Sequence, residues 1–94
     1  MDLSEVDVLI VMDGHEFEGR ADLSDWYQPP AEHPDGASGQ WHGLLRVDVA
    51  FLPVMPAGAT GDLRIDRTGA QARFRVEGHE AEQVRVVGTG PITP

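Results

Sequence analysis

Cysteine is absent from this chain, and so is lysine. Without a thiol there is no disulfide, no thiolate metal site, no redox pair and no cysteine nucleophile. Without lysine there is no phosphate-cradling glycine loop of the Gly-Lys type. Long apolar runs are also missing, and none approaches the roughly 18 residues that a bilayer-spanning helix needs. The first residues, Met1-Asp2-Leu3-Ser4-Glu5, are acidic where a secretory signal carries positive charge, so the expectation is a cytoplasmic protein.

Positive charge is scarce. Seven basic residues, all arginine, face sixteen acids, for a net charge of −9. Ten of the acids precede Arg46, where Arg20 is the one basic residue; from Arg46 onward six arginines balance six acids. An anionic first half repels phosphate backbones and acidic lipid, so nucleic acid and membrane are not expected partners.

What is present is a pattern. The 94 residues, 40% hydrophobic and 24% charged, suit one domain over 1–94 with one core and little surplus stability. Apolar and polar residues alternate, and a period of two sends neighbours to opposite faces of a strand. Val6 to Met12 reads as the first strand, with Leu9 and Val11 making its second face apolar, as in a central strand or one covered on both sides. Asp13-Gly14 then predicts a tight hairpin into Glu16 to Leu23. Trp41 to Leu52 reads as a third strand, with Trp41, Leu45, Val47, Val49 and Phe51 in phase. Asp62 to Asp66 pairs with Gln71 to Val76 as a second hairpin, Glu77 to Glu80 turns the chain, and Glu82 to Gly88 closes the set.

Three stretches break the alternation: a long loop over 24–40, a short apolar loop over 53–60 and a tail over 89–94. Six short antiparallel strands with almost no helix predict an all-β domain, a small barrel or meander whose closure removes exposed edges. An open sandwich is the alternative.

Candidate chemistry is sparse. His15, His33, His42 and His79 form no spaced ligand pair, although His15, Glu16, His79 and Glu80 flank two turns that a barrel can bring to one end. Glu16, Glu18 and Asp22 fall on the polar phase of a strand, the opposite of the buried setting an acid–base carboxyl requires. Neither Ser24 nor Ser38 lies in a nucleophile-elbow frame. No cofactor, metal or catalytic residue is expected.

Two features suit binding. Arg64, Arg73 and Arg75, extended by Arg46 and Arg85, face away from the core: either they pair with nearby acids, or they form a docking surface for an acidic patch or anionic ligand. Trp26 and Tyr27 in one loop, and Val54 and Met55 in the other, put apolar groups where loops are normally polar. They either plug the ends of the barrel or present contacts, and Trp and Tyr are enriched in binding hot spots.

The Asp13-Gly14 hairpin, Ala21-Asp22-Leu23-Ser24, Asp35-Gly36 ahead of Trp41-His42-Gly43, and Val87-Gly88-Thr89-Gly90-Pro91 together resemble a family of small uncharacterised actinobacterial domains. Its members occur alone or fused behind flavin-dependent monooxygenases. The resemblance implies an accessory role beside oxidoreductases and carries no catalytic residue over. The charge asymmetry and the apolar loops lead to the expectation of a non-catalytic module that binds a protein partner or its own copy through the arginine face or the Trp26 loop. The alternatives are a ligand- or cofactor-handling domain with a pocket of Trp26, Tyr27, Trp41 and His42, and an acidic mimic of nucleic acid.

Overall fold

The structure, a computed structural model, describes residues 2–26, 41–90 and 92–93. Six strands form it: β1 (Leu3–Met12), β2 (His15–Ser24), β3 (His42–Arg46), β4 (Thr60–Ile65), β5 (Gln71–Glu80) and β6 (Gln83–Gly88). They close into an antiparallel barrel in the order β1-β2-β3-β6-β5-β4. Two three-strand meanders, β1-β2-β3 and β4-β5-β6, thus meet along two seams, with β1 against β4 and β3 against β6. The β1–β2 side lies across the barrel from the β6–β5 side.

Alternation fills the interior. Val6, Val8, Ile10 and Met12 of β1, Phe17, Ala21 and Leu23 of β2, and Leu45 of β3 all point inward and are buried. Leu63 and Ile65 of β4, Ala72, Phe74 and Val76 of β5, and Val84 and Val86 of β6 complete the wall. No polar or charged side chain among the described residues is buried. The outer face of β1 is not covered, because Val11 is 37% exposed there. Asp13 and Gly14 both have positive φ (49° and 78°), as a two-residue turn closing Met12 on His15 requires.

Several boundaries differ from the sequence pattern. β1 starts at Leu3 and absorbs Glu5 as a bulge with φ of 49°. The strand expected over Trp41 to Leu52 ends at Arg46, and Val49–Val54 winds into a 3-10 helix. Asp48 caps that helix by accepting the Ala50 N–H at 2.9 Å, and Pro53 has no N–H to give a ladder. The turn expected at Glu77–Glu80 is instead strand. A register shift between Val76 and Gly78 carries β5 through to Glu80, and the chain reverses at Ala81-Glu82. The tail docks: Ile92 is buried, and Thr93 exchanges backbone hydrogen bonds with Gln71 at 2.8 Å in both directions.

Candidate interaction site

The barrel has two ends. One holds the Asp13-Gly14 turn, the Ala81-Glu82 turn and the crossing from β3 to β4 over Val47–Ala59. The other holds Trp26 and Trp41, the β4–β5 turn and the docked residues Ile92 and Thr93. Trp26, Val54 and Met55, three of the apolar loop residues that the sequence singles out, lie at one end or the other, so the ends are where a site belongs.

Trp26 and Trp41 close the second end. Each is 1% exposed, and their rings meet edge to face with centroids 5.1 Å apart. Both belong to the core, so neither ring is presented at the surface. Among the described residues neither indole N–H has a hydrogen-bond acceptor. His42 stands exposed on the outer wall with Nδ1 3.7 Å from an Asp25 carboxylate oxygen. Tyr27 lies outside the described residues.

The arginine face is largely neutralised on the molecule itself. Arg73 reaches Asp62 at 3.4 Å, Arg75 reaches Glu77 at 3.6 Å and Arg85 reaches Glu80 at 3.7 Å. Arg46 spans Glu5 and Asp22 at 3.5 and 3.3 Å. Such exposed pairs contribute little stability each, but they occupy the guanidinium groups. Arg64 differs: it sits between Leu9 of β1 and Gln71 of β5, with no ion-pair partner among the described residues.

The first end is built differently. Met55 is fully buried and plugs it, held by its N–H to the Leu52 carbonyl and by His79, whose Nε2 lies 2.7 Å from the Met55 carbonyl oxygen. That carbonyl only accepts, so Nε2 carries the hydrogen. Phe51 stacks flat on Phe17, with centroids 4.3 Å apart and planes 4° apart. Around the plug the apolar side chains stay partly in solvent. Phe51, Leu52 and Val54 are half-buried, Pro53 and Pro56 are exposed, and Val49 is 70% exposed. Of the pair Val54 and Met55, then, only Val54 remains a surface residue.

This crossing is chemically singular. From Val49 to Gly61 the chain carries no charged residue, between Asp48 and Asp62. A shallow groove runs along it between Asp13, Pro53, Val54, Pro56 and Thr60. Val49 and Phe51 belong to the site although alternation assigns them to the inside of a strand. The loss of alternation at Val49-Ala50-Phe51-Leu52, just before Pro53, is the signal that could have found them. Among the described residues no three His, Asp or Glu side chains converge as a metal site would. Comparison with protein-family models, with curated proteins and with solved structures finds no match to this chain.

Proposed function

We propose that this chain is a non-catalytic interaction domain whose apolar end, centred on Val49–Val54, receives a protein partner. One observation carries the reading: an uncharged crossing that leaves Val49 70% exposed, in a chain where 24% of residues are charged. Loops over a surface are ordinarily polar, and a contiguous apolar patch rimmed by polar groups marks a contact surface. The carboxylates support the same reading, since they lie on the wet outer phase rather than in an apolar pocket that would tune them for proton transfer. An oxidoreductase is the partner implied by the resemblance to monooxygenase-associated domains.

A displayed library of random peptides, selected on the wild-type chain and counter-selected on Val49→Ser, tests this reading without prejudging the partner. The expected result is enrichment of sequences that lose affinity when Val49 changes. Sequences indifferent to Val49, or no enrichment, overturn it.

A further inference from the structure

We infer that the partner presents a polypeptide segment combining apolar side chains with lysine or arginine, an amphipathic basic segment. The inference rests on the reading above and adds the partner's chemistry to it. Its basis is the charge around the apolar end. Asp13 shares the groove with Pro53 and Val54, and Asp48 caps the 3-10 helix. Glu18 lines a hollow with Val47, Asp48, Arg20 and Arg46, while Glu82 lines another with Val47 and Arg46. None of these four carboxylates has an ion-pair partner among the described residues.

The cations in those hollows are already engaged. Arg46 holds Glu5 and Asp22, and Arg20 holds Asp7 at 3.4 Å. The apolar end is therefore bordered by four carboxylates without an ion-pair partner among the described residues, Asp13 and Asp48 against the segment itself and Glu18 and Glu82 beside Val47. A partner that covers it must desolvate those carboxylates or answer them, and an apolar segment flanked by basic groups answers them. A second copy fits poorly, because it would bring the same acidic rim on a body of net charge −9. An anionic lipid surface is repelled for the same reason.

The probes are three labelled peptides of one length: leucine with lysine, leucine with glutamate, and serine with lysine, each titrated into the full chain by fluorescence anisotropy. The leucine–lysine peptide is expected to bind at least roughly tenfold more tightly than either other peptide, with affinity falling as salt rises. Val49→Ser weakens it, and so does the triple variant Asp13→Asn, Glu18→Gln, Glu82→Gln, each by roughly tenfold. Asn suits the positive φ of position 13, so that variant keeps its turn. A control triple at the opposite end, Asp2→Asn, Asp25→Asn, Asp66→Asn, changes the net charge equally and is expected to leave affinity within about twofold.

Equal weakening by both triples overturns the inference in favour of diffuse attraction. Binding of the leucine–glutamate peptide, if lost in Val49→Ser, overturns the charge preference and leaves the interaction reading standing. Binding of the serine–lysine peptide as tightly as the leucine–lysine peptide shows that the apolar end plays no part, and absence of all binding removes the inference outright.

Discussion

The indole of Trp41 lies where a Cβ on residue 88 would stand, and residue 88 is glycine. The same two residues are tied by the Gly88 N–H donating to the Trp41 carbonyl at 2.8 Å, so the strand cannot move away from the ring cheaply. Gly88→Ala therefore forces either the ring or the β3–β6 seam to shift, at a cost of about 2–3 kcal/mol. Urea melts of the wild type and variant check the loss. Trp41→Phe shrinks the ring and is expected to relieve part of the clash, so the double variant loses less than the sum of the two singles.

Ala81 occupies a left-handed conformation, with φ of 55°, in the two-residue turn between Glu80 and Gln83. A Cβ there costs roughly 1–2 kcal/mol, and glycine's extra freedom in the unfolded chain returns about 0.5–1 kcal/mol of that. Ala81→Gly is therefore expected to stabilise the barrel by about 0.5–1 kcal/mol. In a domain of this size that raises the Tm by a few degrees, which calorimetry will register.

Most of the wall was legible because period-two alternation names the inward side chains, and the Val8, Ile10, Leu63, Phe74 and Val86 phases hold. Alternation says which face a residue takes and nothing about which strand lies beside it, so the β1–β4 and β3–β6 seams were not readable. Val47 and Val49 continue the phase of Leu45 and so imitate strand, while the Asp48 cap and Pro53 act locally to wind the chain. The Ala81-Glu82 turn carries no glycine or asparagine to announce it. Trp26 suits a plug and a hot spot equally by residue type, and only its burial separates the two.

Asp22 joins three strands. Its Oδ1 accepts the N–H of the bulged Glu5 at 2.8 Å, and its Oδ2 meets Arg46 at 3.3 Å. Asp22→Ala loses both and is expected to cost about 1–2 kcal/mol, mostly through the lost charge-assisted hydrogen bond that holds the bulge. Asp22→Asn keeps an oxygen for that N–H and loses the exposed ion pair, for a cost below about 0.5 kcal/mol. Denaturation at low and high salt distinguishes them: the alanine deficit persists in salt, and the asparagine deficit shrinks.

His79 anchors the plug through its bond to the Met55 carbonyl. His79→Ala removes one hydrogen bond from a half-shielded site and is expected to cost about 1 kcal/mol. The effect is local, so amide exchange at Met55, which donates to Leu52, accelerates more than exchange in β1 or β5. Uniform acceleration across the barrel would show that the bond supports the whole fold rather than this end.

Val49 and Met55 lie six positions apart on one apolar segment, yet the fold treats them as opposites. Met55 has no exposed surface and fills the barrel mouth, so Met55→Ala opens a cavity and is expected to cost about 2–4 kcal/mol. Val49 is 70% exposed, and Val49→Ser is expected to change stability by less than about 0.5 kcal/mol. Stability alone does not call for a valine in solvent at that position. If thermal melts show Val49→Ser to be neutral while Met55→Ala is costly, the exposed residue is free of structural duty and available for a partner. If Val49→Ser costs as much as Met55→Ala, the valine is a buttress of the barrel and the proposed surface loses its centre.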